Sequence, residues 1–325
     1  MNPTDPRAPG DPSDEGFFDP AWLGAAGDAL AQRCLGEDRS QLLLYAPRAV
    51  DTAAHDTLPV LGLWCRSHRE DLATRWTDLA ALVAVRLDDG AAYAGRVFVW
   101  KQSRPSPRDT TLDPGEGFAA DAFSCDLRAR LAGLPWEGGV WAVTALVGAY
   151  ASPVAHTSLA GSPPARMRRP APPVGDGPFP TYLRTAASPP VPAEVGVLLD
   201  VARVMVLAPG VHCVLGASFR LPASYAVTTP AGTTVHDLPC AFAAPVTLVA
   251  TRDDALEPFA VTVVAPCFDA TPGATEITGC FTVDLFAFDG FDARPGAVRL
   301  WAFAGSLVQG PWAMQLVDED ELAPR

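Results

Sequence analysis

The sequence predicts a mainly β protein: two tandem β-sandwich domains of the immunoglobulin- or fibronectin-like size class, preceded by a short N-terminal helix. Three observations predict it. The apolar runs are short, rich in Val, Ala, Leu and Phe, and separated by Pro, Gly or Asp-rich turns, which is the texture of antiparallel strands. A proline-rich stretch, residues 161–193, holds about a third of the 33 prolines and splits the chain into parts of similar size. Those two parts also resemble each other.

The resemblance is clearest where "FSCDLRAR" from Phe123 meets "FTVDLFAF" from Phe281 at one offset (281 − 123 = 158), pairing Asp126 with Asp284 and Leu127 with Leu285. Carried on, that offset sets Gly138, Val140, Pro153 and Ala155 against Gly296, Val298, Pro311 and Ala313. With other offsets, "LLLYAP" at 42–47 answers "VMVLAP" at 204–209, "PVLGLW" at 59–64 answers "CVLGAS" at 213–218, and "ALVAVRLDD" at 81–89 answers "TLVATRDD" at 247–254. Their common order points to an internal duplication.

In chain order, residues 1–18 read as a disordered polar leader. Residues 19–38 read as a helix, with Asp19 as N-cap, Pro20 at the first helical position, and Trp22, Leu23, Leu30 and Cys34 along one stripe. The first sandwich is expected over 39–160. It contains "SHREDLATRWTDLAAL", where Ser67 and Glu70 suit a capping box and Leu72, Trp76 and Leu79 a helical stripe. Residues 161–193 form an extended linker, since proline cannot donate within a sheet. The second sandwich follows over 194–318. It has "LPASYAVTTPAGTTVHDLPCAF" where the first has its helix, and an acidic tail, 319–325, ends the chain. The uncharged stretch 138–164 is long enough to raise a membrane span, but Gly, Ala, Ser and Pro dilute it. A buried strand is expected there, with no membrane insertion.

Net charge is −13, and Lys101 is the single lysine. That charge argues against nucleic acid and anionic lipid as partners, and the arginine bias suits a GC-rich, bacterial genome. Seven cysteines, an odd number without a C-x-x-C pair, read as reduced thiols. An acidic, proline-rich start lacks the pattern of a signal peptide, so a cytoplasmic protein is expected.

Motifs for phosphate cradles, dinucleotides, zincins and nucleophile elbows are missing from the sequence. The five histidines show no i, i+2 or i, i+4 pairing. His212, His236 and Cys240 are the nearest thing to a soft-metal set, with Met205 as a further donor, yet neighbouring strand residues such as His212 and Cys213 point to opposite faces. Asp289 and Asp292 in "FDGFD" suit a calcium loop, although Asp before Gly is first of all a turn signal. No cofactor is expected.

One strand departs from the usual alternation. Read over residues 279–288, its second face carries Thr282, Asp284, Phe286 and Phe288, where the first copy carries Ser124, Asp126, Arg128 and Arg130. Together with Phe291, Trp301 and Trp312 this makes an aromatic surface that something must cover, another part of the chain or another protein. The reading is a non-catalytic structural, scaffold or accessory protein acting through surfaces, with a protein partner or as a homo-oligomer. The alternatives are a metal-dependent enzyme with a site between the domains, and a sugar- or peptide-binding module.

Overall fold

The computed structural model describes residues 14–34, 41–67, 80–97, 118–136, 138–160, 189–229, 234–235, 238–239, 241–252, 257–267 and 273–319. Contacts divide the chain into two compact units, Met1–Ala84 with Tyr93–Pro164, and Val85–Ala92 with Ala165–Arg325. Most of the leader, the helix expected from "SHREDLATRWTDLAAL", most of the linker and the end of the acidic tail lie outside the described residues.

A 3-10 turn, Asp14–Phe18, leads into α1, Pro20–Cys34. Asp19 caps it: its Oδ1 accepts from Ala21 N at 2.9 Å, while Pro20 sits where an N–H would have no partner. The chain continues with β1 (Gln41–Tyr45), β2 (Ala49–Asp51), β3 (Pro59–Ser67), β4 (Ala81–Arg86), β5 (Ala92–Arg96) and β6 (Phe118–Asp126), all of the first unit save the end of β4 and the first residue of β5. A one-turn helix α2 (Leu127–Arg130) precedes β7 (Gly139–Val147), β8 (Tyr150–Ala151) and β9 (Ala155–Ala160). They form a three-stranded sheet, β1-β3-β6, and a larger one ordered β2-β9-β7-β4-β5, with β8 on β7.

The second unit holds β10 (Gly196–Asp200), β11 (Val204–Leu207), β12 (Val214–Pro222), the two-residue β13 (Val227–Thr228), β14 (Thr234–Val235) and β15 (Leu238–Pro239), then β16 (Phe242–Arg252), β17 (Phe259–Pro266), β18 (Glu276–Asp284), β19 (Gly296–Ala304) and β20 (Leu307–Asp318). Its sheets are β10-β12-β18 and β11-β20-β19-β16-β13, with β17 also on β16 and β14-β15 as a small ribbon. The protein is mainly β, in two separate β-rich units behind a short N-terminal helix.

Each core lies between two sheets and follows the period of two. In the second unit Leu215, Ala217, Phe219 and Leu221 of β12 face Ala244, Val246, Leu248 and Ala250 of β16 and Val298, Leu300, Ala302 and Ala304 of β19 within one buried cluster. Trp141, Val143, Ala145 and Val147 do the same in the first unit. The central strands are buried on their other faces too: Ala81, Val83 and Val85 in β4, Ala142, Thr144 and Leu146 in β7, Val249 in β16, Trp301 and Phe303 in β19. Double burial explains why 138–164 reads as a long uncharged run. Its described part, 138–160, is β7, β8 and β9 with tight turns between, and no helix among the described residues is long and apolar enough to cross a membrane.

The strand plan repeats to the residue. A shift of 155 (196 − 41 = 155) carries the β1–β3 ladder onto β10–β12, Gln41↔Cys65 becoming Gly196↔Arg220. A shift of 158 (284 − 126 = 158) carries β6 onto β18, Pro59↔Asp126 becoming Val214↔Asp284. A shift of 157 (296 − 139 = 157) carries β7–β9 onto β19–β20, Gly139↔Leu159 becoming Gly296↔Leu316. The parallel pairs β2–β9 and β11–β20 agree, Ala49↔Ser158 with Val204↔Gln315.

These ladders correct three of the sequence matches. "LLLY" is β1 and its counterpart is β10, whereas "VMVL" is β11, the counterpart of β2. "VLG" at 60–62 and at 214–216 is one residue out of register, since Gly62 sits opposite Phe123 where Ala217 sits opposite Phe281. Beyond residue 138 the offset of 158 is also one too large: it would equate exposed Val140 with buried Val298. A slip of one residue exchanges the faces of a strand, so identical letters lose to the burial pattern.

The outer faces of the two small sheets are covered differently. In the first unit Leu43, Tyr45, Leu61, Leu63, Cys65 and Ala122 face α1, which contributes Trp22, Leu23, Ala26 and Leu30, with Phe17 from the preceding turn. At the matching positions the second unit has Leu198, Asp200, Gly216, Ser218, Arg220 and Cys280. There the end of the proline-rich stretch lies across the sheet: Ser218 Oγ donates to Pro190 O at 2.9 Å and Arg220 Nε to Pro192 O at 2.8 Å. Proline carbonyls keep their acceptor capacity while the ring forbids strand pairing, so a polar face suits that cover and an apolar face suits the helix.

Candidate functional site

The strand read over 279–288 ends at Asp284, and the reason is the aspartate. Its Oδ1 accepts from Phe286 N at 3.0 Å and from Cys213 N at 2.9 Å, and Leu285 N donates to Cys213 O at 2.9 Å. The chain therefore turns through a 3-10 element, Leu285–Ala287, capped by Asp284. Phe286 and Phe288 are not on the second face of β18, a correction to the alternation read from sequence. The first unit uses Asp126 in the same way: Oδ1 accepts from Leu58 N at 2.8 Å and from Arg128 N at 3.0 Å, and Leu127 N donates to Leu58 O at 2.7 Å.

The second unit adds an imidazole. His212 Nδ1 lies 2.6 Å from Asp284 Oδ2, with side-chain exposures of 54% and 2%. A buried carboxylate holding one ring nitrogen of an exposed histidine is the orienting half of an acid–base dyad. Its carboxylate, however, performs the same bracing where the first unit has Thr57 in place of histidine, so bracing is the shared duty. Cys213 turns away from His212, as alternation requires, and its Sγ lies 3.7 Å from Met314 Sδ in the core.

Burial, with the Asp284 charge adding to it, pushes the Cys213 thiol up from 9.0 to about 12. Near neutral pH the thiol is therefore protonated, the form that is the weak nucleophile. A folded-state pKa above the unfolded value means that its contribution to stability is complete below about 9 and is lost as pH rises toward about 12. Urea midpoints are therefore expected to fall across that window, with the Cys213→Ala variant losing less than the parent.

His236 and Cys240 lie outside the described residues. Asp289 and Asp292 flank Gly290, whose φ of 90° is the left-handed turn that favours glycine. Asp292 is engaged by arginine: Arg294 Nε and Nη2 donate to its oxygens at 2.8 and 2.6 Å, and Arg252 Nε is 3.9 Å away. The Arg294 hydrogen bond, aided by the nearby guanidinium charges, holds the Asp292 carboxyl below its ordinary value. A carboxylate compensated by cations is poorly placed to take calcium. Among the described residues no group of three or more His, Cys, Asp or Glu is arranged to hold a metal ion. Buried Arg252, missed in the sequence, ties the loop down by donating to the carbonyls of Asp292, Arg294 and Pro295.

The aromatic residues singled out from sequence pack within the second unit. Phe286, Phe288, Phe291 and Trp312 are half-buried against its core, and Trp301 is 2% exposed. Phe259, not foreseen, joins three of them, with ring centroids 6.2 Å from Phe288 and 5.4 Å from Phe291, while Phe286 lies 5.8 Å from Phe291. Beside them is a cavity of about 20 Å³ lined by Arg252, Phe259, Phe291 and Asp292 among others, enough for about one water. In the first unit Arg128 stands 4.7 Å over the Trp136 ring and donates to Asp56 O at 2.7 Å. Arginine at this position closes one unit through a cation–π contact, and phenylalanine closes the other through ring packing.

No protein-family model matches the sequence, and no curated protein matches it. Among solved structures the chain is similar to the Yersinia pseudotuberculosis adhesin InvE, at 14% identity and a TM-score of 0.19, over 86% of this chain and 61% of that one. The match thus spans about three fifths of the adhesin's length, and a superposition that loose does not establish a shared arrangement.

Proposed function

We propose that the chain is a non-catalytic accessory or scaffold protein of the cytoplasm, built from two immunoglobulin-like modules, 39–160 and 194–318, joined by 161–193, and acting through protein-binding surfaces. The observation that carries this reading is the paired use of Asp126 and Asp284. Both carboxylates brace a strand end, so among the described residues the His212–Asp284 pair, which resembles catalytic machinery, is accounted for by the fold. The divergence of surface side chains on one strand plan, Arg128 against Phe286 and the helix-covered face against the proline-covered one, supports recognition as the property in which the units differ.

Elemental analysis of the purified chain tests the non-catalytic part. A metal content well below one per chain is expected, and stoichiometric zinc, copper or iron would overturn it. The aromatic surface is tested by the double variant Phe286→Arg/Phe288→Arg. Burial of these rings makes a loss of about 2–5 kcal/mol of stability the expected result. A variant of unchanged stability that has lost its binding partners would instead make these rings the interface.

A further inference from the structure

We propose that β11 is a self-association edge: two copies of the chain pair through it, antiparallel, about a two-fold axis at Met205. Among the described residues β11 pairs only with β20 and ends its sheet. Gln315 N donates to Arg203 O at 2.8 Å, so Arg203, and by alternation Met205 and Leu207, turn their peptide groups toward β20. Val204 and Val206 turn theirs outward. On the faces of the sheet, Met205 and Leu207 pack on the core, whereas Val204 is 53% exposed, the highest value among the exposed large hydrophobic residues described.

The first unit shows what a protected version of this edge looks like. Val204 and Val206 correspond to Ala49 and Asp51 under the shift of 155. Asp51 spends its outward groups on the turn that follows, its carbonyl accepting from Ala54 N and His55 N at 3.1 and 2.9 Å and its Oδ1 from Ala53 N at 2.9 Å. A charge and a turn at the end of a three-residue strand blunt an edge. Valine at 206 does neither, and Val195, Leu198 and Val211 add exposed apolar surface in the same stretch of chain.

The geometry selects the occupant. In antiparallel pairing two residues exchange both hydrogen bonds only if both face the seam. A two-fold axis at Met205 sets Val204 opposite Val206 of the second copy, and Val206 opposite its Val204, so that four bonds form and every outward group of both strands is used. The same patch serves both copies, as a closed two-fold interface requires. This step rests on the surface-acting reading above but falls separately from it, since a monomer can still act through surfaces.

Sedimentation of the intact chain over a concentration series, with hydrogen exchange at each concentration, tests the proposal. A reversible dimer is expected, with the Val204 and Val206 amides slowing as it forms and the Met205 amide, already bonded to β20, changing little. Val206→Pro removes an outward donor and leaves the β20 ladder intact. It is expected to raise the dissociation constant by at least about tenfold, from two lost hydrogen bonds, without lowering the unfolding midpoint much. In a second variant, Val204→Cys/Val206→Cys, oxidation is expected to link the copies, because hydrogen-bonded partners lie about 5.5 Å apart, while Val204→Cys alone stays unlinked. A chain that remains monomeric throughout, or a dimer in which Val206→Pro and the Val204 and Val206 amides behave as in the monomer, would overturn the assignment.

Discussion

Replacing Asp284 with alanine is expected to lower the stability of the second unit by about 3–5 kcal/mol. The variant strands Cys213 N, a buried donor, and Phe286 N, a part-buried one, each worth about 1–3 kcal/mol when unsatisfied, and also removes the carboxylate beside His212. Asp284→Asn retains an oxygen for the two amides and is expected to recover most of the loss. His212→Ala, which alters a half-exposed ring, is expected to cost about 1 kcal/mol or less. Urea unfolding of the three variants checks this order. Equal losses for Asn and Ala would mean that charge, and not bracing of the strand end, is what the carboxylate supplies. Asp126→Ala is expected to lower stability in the same direction but by less in the first unit, because its bonds are part-buried and exposed, and the two losses should add because the sites belong to different units.

Leu63→Ser is the second large expectation. Leu63 is fully buried beneath α1, and serine is the residue at the matching position of the second unit, Ser218. Deleting a buried leucine side chain costs about 2–5 kcal/mol, and here the hydroxyl adds a polar atom beneath a helix with no proline carbonyl to receive it. The first unit is expected to lose roughly that amount, and α1 to become the first site of limited proteolysis, cut within residues 20–34. A parental digestion pattern would show that α1 is held chiefly by contacts other than the Leu63 face.

Much of this architecture can be read from the residues alone. Short Val- and Ala-rich runs between turns mark strands, Asp19-Pro20 marks the start of α1, and "DDG" and "FDG" mark turns. Register was harder. Val-Leu-Gly recurs in both halves one residue out of step, and only burial shows that Ala217, not Gly216, replaces Gly62. Gly62 is glycine for a steric reason: a Cβ there would lie 2.1 Å from the Phe123 ring. The end of β18 was masked because Phe286 and Phe288 continue the alternation after the chain has turned. The signal was Asp-Leu, present as Asp126-Leu127 and Asp284-Leu285, a capping aspartate followed by a buried leucine. The His212–Asp284 contact joins residues 72 apart, and no local pattern reports such a meeting.

The cover of the first small sheet also bears on how the chain is made. Its apolar face is complete only once β6 has left the ribosome, whereas α1, Pro20–Cys34, emerges well before it. At synthesis rates of about 5–20 residues per second, roughly 90 residues separate helix from finished sheet, an interval of several seconds. The helix is therefore waiting when the face that needs it appears, and the sheet need never meet water uncovered. A copy of the gene lacking the codons for α1 should give nascent chains that depend on holding chaperones during that interval.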